Sequence, residues 1–303
     1  MAKSKNLLDD VINDKGEIDY VRIQELSSGV ISGNATIARL NRQEERGRIE
    51  GGRTNVEATL YLGAAIGHDR QKHLGGRNIL SAAGQESALE EYAKKANVWH
   101  TPERIEKEIE KKAVRKQSGS EADVYFMPDG FVIKVVIYNS AFSRTPLEYL
   151  DNRISLNNYL FNETKYELIG FAADPYKDEG EDGMLFIIRQ TEIKGRVLQE
   201  HAEDAKDRYA TEKKIKDAIA AQLKNKLGLV SSNTPVNYYS NSDYKVSDFH
   251  LGNVMEAEDR NILNYPDEHL YYIDVAPALN TDSDIGGVRE YQDFSVQITN
   301  PLI

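Results

Sequence analysis

The chain holds 303 residues with 49 acidic against 38 basic side chains, a net charge of −11, and no cysteine. Disulfides, thiolate catalysis and zinc–thiolate sites are therefore excluded, and the negative balance argues against nucleic acid or an anionic membrane as the main partner. No run of about 18 apolar residues marks a membrane span, and "MAKSKNLLDDVINDKGE" lacks the apolar stretch of a signal peptide, so the expected setting is cytoplasmic.

Residues 1–100 read as polar and mostly helical. Apolar side chains recur at helical spacing from Glu17 to Gly67, and Gly51-Gly52, Gly63 and Gly75-Gly76 punctuate them as turns. "SALEEYAKKANVW" reads as a further amphipathic helix. Residues 101–117 are assigned as a helical linker, because "PERIEKEIEKKAVRK" from Pro102 to Lys116 alternates charge sign as a solvated helix does. Two patterns in the first hundred residues carry a weaker chemical signal. "RQEERGRIEGGR" mixes arginine with glutamate, which favours a salt-bridged helix over a phosphate-binding patch. His68, Asp69 and His73 lie close in sequence, but two imidazoles do not make a metal site, and solvated side chains are the better reading.

From Ser118 the character changes. "ADVYFM", "PDG" and "FVIKVVIY" spell a β-hairpin. "TPLEYLDNRISLNNYLF" follows as a helix, with Thr145 as N-cap and Pro146 in the first turn. "YELIGFAAD" and "GMLFIIRQTEI" form a second strand pair across the acidic turn "PYKDEGEDG". A longer helical segment, "EHAEDAKDRYATEKKIKDAIAAQLKNKLG", precedes short strands around Lys245, Val254 and Tyr271.

Several residues stand out against this frame. Gly119, Ser120, Glu121 and Ala122, in "SGSEADVY", form a turn whose small residues would let backbone N–H groups approach a phosphate; an ordinary loop-to-strand turn is the plain alternative. Lys134 lies in the apolar run "FVIKVV", where burial demands a partner unless the side chain faces outward. An acid on the next helix would serve, and Glu148 is preferred over Asp151. In "KVSDFHLGNVM", Asp248 and Asn253 are five positions apart, the separation of base and metal ligand in a kinase catalytic loop, although a surface loop with Asx turns would look similar. Asp274 ends the apolar run "LYYIDVAP", where a second metal-holding carboxylate is expected. The conjunction, in this chain order, supplies the parts of phosphoryl transfer.

These segments resemble the protein-kinase-like superfamily, and "DFHLGNV" is similar to the loop of aminoglycoside and other small-molecule kinases. "GSEADVY", "PLEYLDNRISLNNYLF", "YELIGF" and "HLGNV" together resemble the kinase-like domain of polyvalent proteins, which belong to phages and conjugative elements and are thought to enter a host cell with the DNA. The resemblance runs from about Glu91 to the C-terminus. It implies an α+β, two-lobed protein-kinase-like fold with an N-lobe over 118–193 and a reduced C-lobe over 194–303, preceded by the mostly helical region. It also implies ATP and Mg2+ as cofactors, host cytoplasm as a setting, and a hydroxyl acceptor, small molecule or protein, that the sequence does not name. By the same resemblance Lys134 contacts phosphates, Gln190, Thr191, Glu192 and Ile193 form the hinge that meets adenine, Asp248 is the base, and Asn253 and Asp274 bind Mg2+. Departures are Val246 in place of the loop histidine, Val275-Ala276 after the metal aspartate, and only 29 residues after Asp274. These turn the expectation away from protein substrates. A non-catalytic interaction protein and a nucleotidyl transferase on the same scaffold are the competing readings.

Overall fold

A computed structural model describes residues 82–119, 121–138, 145–175, 183–232, 238–241, 244–258, 260–265 and 269–279, with helical residues at 54, 55, 57–59, 61, 62 and 65. Ser120, the His68–His73 cluster, "RQEERGRIEGGR" and the glycine punctuation of the first eighty residues lie outside the described residues.

The chain enters through α1 (Ala82–Lys95) and a short strand, β1 (Trp99–His100). α2 (Pro102–Glu108) follows, capped by the Thr101 side chain, and runs into a 3-10 turn over Glu110–Lys112. The helix expected over 102–116 therefore ends early. Residues Arg115–Ser118 instead form β2, an edge strand exposed along its whole length. Its charged side chains are those of a protected sheet edge, and they mimic a solvated helix in the sequence. Lys116 pairs with Asp123 at 2.8 Å across the ladder, and Arg115 lies over the Phe126 ring.

β3 (Ala122–Phe126) and β4 (Phe131–Ile137) form the expected hairpin, closed by Gly130 at a φ of +81° that L side chains rarely adopt. The helix after it starts as α3 (Pro146–Glu148), with Thr145 Oγ1 accepting from the Glu148 N–H. It widens to a π-helix over Tyr149–Leu156 and closes as α4 (Asn157–Leu160). β5 (Glu167–Ala173) and β6 (Met184–Thr191) pair antiparallel, as the pattern predicts. The six strands take the order β1-β5-β6-β4-β3-β2, antiparallel except where β1 runs parallel to β5. At the β1–β5 junction Gly170 is required, because a Cβ there would meet Val98 O at 2.7 Å and the His100 ring at 2.5 Å.

After β7 (Gly195–Val197) the predicted long helix is two helices, α5 (Leu198–Glu203) and α6 (Arg208–Leu227), separated by an Asp207 N-cap and ended by Gly228 in the left-handed region. β8 (Val230–Ser231), β9 (Tyr239–Ser240), β10 (Tyr244–Ser247) and β13 (Ala276–Leu279) build one small antiparallel sheet. β7, β11 (Val254–Ala257) and β12 (Leu270–Tyr272) build another. The strands expected near Lys245, Val254 and Tyr271 are thus present; β8 and β9, of two residues each, are too short to show in the pattern, and β13 is broken there by Pro277.

Two apolar cores flank the site. One joins Tyr61, Leu89 and Tyr92 to Phe171, Phe186, Tyr149 and Ile154, so the helices before residue 100 pack on the six-stranded sheet. The other joins Leu156 and Phe161 to Ile219, Leu223, Val246, Phe249, Val254 and Tyr272. Each fully buried Phe or Leu here contributes about 1.5–3 kcal/mol relative to exposure.

Candidate phosphate and metal site

Lys134 sits mid-β4, opposite Val124 on one side and Ile188 on the other, and only 7% of it is exposed. Its Nζ donates to the Ile273 carbonyl at 2.8 Å and to Tyr166 Oη at 3.4 Å, and stands 3.7 Å from Asp274 Oδ1. Burial pulls the ammonium pKa below that of a solvated lysine; Asp274 opposes that shift and Arg153 adds to it. Tyr166 Oη itself donates to the Ile273 carbonyl at 2.6 Å, so one backbone oxygen ties β4 and β5 to the end of β12.

The ion pair expected between Lys134 and Glu148 is not made, and Asp151 does not take its place. The counter-ion of Lys134 is Asp274. The residue that the π-helical stretch carries toward the lysine is Arg153, whose Nη2 lies 3.8 Å from the same Asp274 oxygen. Glu148 ends α3, half-buried, in the first turn of the helix.

The catalytic-loop candidates are brought together. β10 delivers Asp248, which takes a φ of +61° immediately after the strand. A non-glycine residue in that region costs about 1–3 kcal/mol unless its surroundings hold it, although Asp tolerates it better than most. Asn253 supplies that hold: its Nδ2 donates to the Asp248 carbonyl at 3.0 Å, to Asp248 Oδ2 at 3.1 Å and to the Asp274 carbonyl at 2.7 Å. The Asn253 carbonyl accepts from the Ile273 N–H at 2.9 Å. One buried amide thus sets the spacing of both aspartates.

Asn253 Oδ1 and Asp274 Oδ2 accept no hydrogen bond from the described residues. An amide oxygen and a carboxylate oxygen are hard donors of the kind that suits Mg2+, which is held by one or two protein groups together with substrate phosphates. No cluster of three or more His, Asp or Glu side chains able to hold a metal occurs among the described residues. The donor set fits a metal brought in with a polyphosphate, not a resident ion in a closed protein cage.

Of the turn candidates, Gly119, Glu121 and Ala122 lie within the described residues. The Gly119 N–H donates to the Ala122 carbonyl at 2.8 Å, and the Glu121 carbonyl accepts from the Ile137 N–H at 3.0 Å. A Cβ on Gly119 would meet only Ala122 O, at 3.5 Å, so space does not demand glycine there. Glu121 is half-buried and faces the site. Burial pushes its carboxyl above the usual carboxylate range, Arg153 pulls it down, and the charges of Asp274 and Asp248 push it up.

At the far end, Gln190 is buried and donates from Nε2 to the Thr164 carbonyl at 2.8 Å, while the Glu192 N–H bonds the Gly130 carbonyl. Thr191 is exposed at the end of β6, and Ile193 is half-buried in the link to β7. Sequence reasoning missed Arg153, Tyr166 and Tyr149. An arginine between Leu150 and Ile154 in an otherwise apolar helix face was the available signal for the first; nothing local distinguishes the two tyrosines.

The family model for the serine/threonine/tyrosine kinase found in polyvalent proteins matches residues 82–276. No curated protein and no solved structure matches the chain.

Proposed function

We propose, from the premise that this chain belongs to the family of serine/threonine/tyrosine kinases found in polyvalent proteins, that it transfers the γ-phosphate of ATP to a hydroxyl with Mg2+ as cofactor. The observation that carries the reading is the convergence of Lys134, Asp248, Asn253 and Asp274, which come from three separate parts of the chain and are joined by hydrogen bonds and an ion pair. The six-stranded sheet with its helices and the α5–α6 unit with its two small sheets are read as two lobes, the site lying where β4 meets the end of β12.

In this reading the link from Gln190 to Ile193 meets the adenine, and the turn Gly119–Ala122 covers the phosphates. Lys134 donates to the phosphate oxygens. Asn253 and Asp274 would hold Mg2+, which would neutralise charge on the transferred group. Asp248 orients the acceptor hydroxyl and takes its proton as the oxygen attacks phosphorus and the bond to ADP breaks. The left-handed turn at Asp248 serves this role, since Asn253 holds the Asp248 carboxylate there by a hydrogen bond.

Calorimetry with ATP, with and without Mg2+, tests the site without knowledge of the acceptor. Wild-type protein is expected to bind ATP more tightly with Mg2+. Asp274→Ala should lose that gain, and Asp248→Asn should keep it while losing transfer in product mass analysis. Equal ATP affinity with and without Mg2+ in the wild type would remove the reading, and addition of a nucleotidyl group to the product would replace kinase chemistry by nucleotidyl transfer.

A further inference from the structure

The helix after β4 was expected to bring a carboxylate to Lys134, and it brings a guanidinium. Lys134 and Arg153 are 7% and 5% exposed, and both stand against one oxygen, Asp274 Oδ1, at 3.7 and 3.8 Å. The carboxylate they share is itself half exposed. Two buried cations thus share one carboxylate oxygen, and a buried charge is costly unless it is matched. The other charged groups facing this space, Glu121 and Asp248, are acidic and lie toward the turn and the catalytic loop. A further acid, Asp151, is buried on the same helix.

We propose that Arg153 is a second fixed cation of the phosphate site and that Asp274 is its exchangeable counter-ion. Without nucleotide, Arg153 and Lys134 both hold Asp274. When a polyphosphate enters, its oxygens take over the two cations and Asp274 is released to the metal. The inference deepens the kinase reading and rests on it.

Three pieces of chemistry support the exchange. The planar guanidinium matches phosphate oxygens as well as it matches a carboxylate, and loses little freedom in switching between them. Its distance to Asp274 equals that of Lys134 within 0.1 Å (3.8 minus 3.7), so it reaches as far toward the metal-binding carboxylate as the lysine does. Finally, a cation on Asp274 competes with a metal ion for that carboxylate. Metal binding to this site is therefore weak until a nucleotide arrives, which fits a donor set of only two free oxygens.

The test uses the full chain and two ligands that should respond in opposite directions. ATP affinity is measured by calorimetry in EDTA, and Mn2+ affinity of nucleotide-free protein by electron paramagnetic resonance. Arg153→Met should weaken ATP binding in EDTA about tenfold and strengthen Mn2+ binding about tenfold, while Arg153→Lys keeps both near wild type. Should the methionine protein fail to fold, Arg153→Gln makes the same measurement with a polar side chain. A packing defect would weaken both ligands, so a parallel fall, or no change in either, overturns the exchange. If wild-type protein binds no Mg–ATP, the kinase reading falls and takes the exchange with it. If wild-type binds Mg–ATP but Arg153→Met, or Arg153→Gln in its place, leaves both affinities unshifted, the exchange alone falls.

Discussion

Glu121 is the residue whose charge works against the rest of its site. Its carboxyl is pushed up by burial and by Asp274 and Asp248, with Arg153 offsetting part of that. A folded-state value above the ordinary 4.5 means that protonated Glu121 favours the fold; this contribution is present below pH 4.5 and is lost as pH rises through the folded value. At neutral pH the ionised group therefore destabilises the chain. Glu121→Gln should raise the melting temperature at pH 7.5 and leave it nearly unchanged at pH 4, checked by calorimetric scans at both values. An equal shift at the two pH values would show that charge is not the cause. Asp248 and Asn253 could be read from sequence because a loop keeps residues five apart within hydrogen-bond reach. The partner of Lys134 could not, since Asp274 lies 140 positions away (274 minus 134) and only the fold brings it near.

The helix that carries Arg153 is anchored at its start by a side chain from another element. Thr145 caps the Glu148 N–H, and Gln85 on α1 accepts from the Leu147 N–H at 3.0 Å. The first N–H groups of a helix have no partner inside it, and a buried one left unmet costs about 1–3 kcal/mol. Gln85→Ala removes that acceptor from a buried position and should lower stability by about 1–3 kcal/mol in urea denaturation; a change under a few tenths of a kcal/mol would mean that water or a neighbour replaces it. The Thr145–Pro146 start was visible in sequence because capping is local chemistry. The role of Gln85 was not, because a glutamine on an amphipathic helix reads as solvent-facing. For the same reason β2 read as a helix: its register comes from β3, and its polar side chains carry no period of their own.

Across the whole molecule, a line of rings connects the helices before residue 100 to the site. Tyr61 stacks on Tyr92 at 5.7 Å, Tyr92 meets Phe171 edge-on at 6.4 Å, Phe171 meets Phe186 at 5.2 Å, and Phe186 packs on Tyr149 at 4.7 Å. Tyr149 lies four residues before Arg153 on the same helix. Polar contacts run in parallel: Asn55 donates to Ser155 at 3.0 Å, Tyr92 to Glu57 at 2.9 Å, and Tyr138 to Glu86. The early helices thus act as a bracket for the helix that reaches Asp274, and β1 adds a strand to the same sheet. Tyr92→Ala removes two ring contacts and the hydrogen bond to the buried Glu57 carboxylate, which should cost about 3–5 kcal/mol and weaken Mg–ATP binding through Arg153. A chain begun at residue 101 goes further, baring the Phe171 and Leu168 face of the sheet and deleting β1. It should lose cooperative thermal unfolding and bind an apolar dye. A fragment from residue 101 that melts in one sharp transition would show that the sheet holds the site without its bracket, and would move the source of the helix's position to the α4–β12 side, where Thr164 Oγ1 donates to the Tyr272 carbonyl at 2.7 Å.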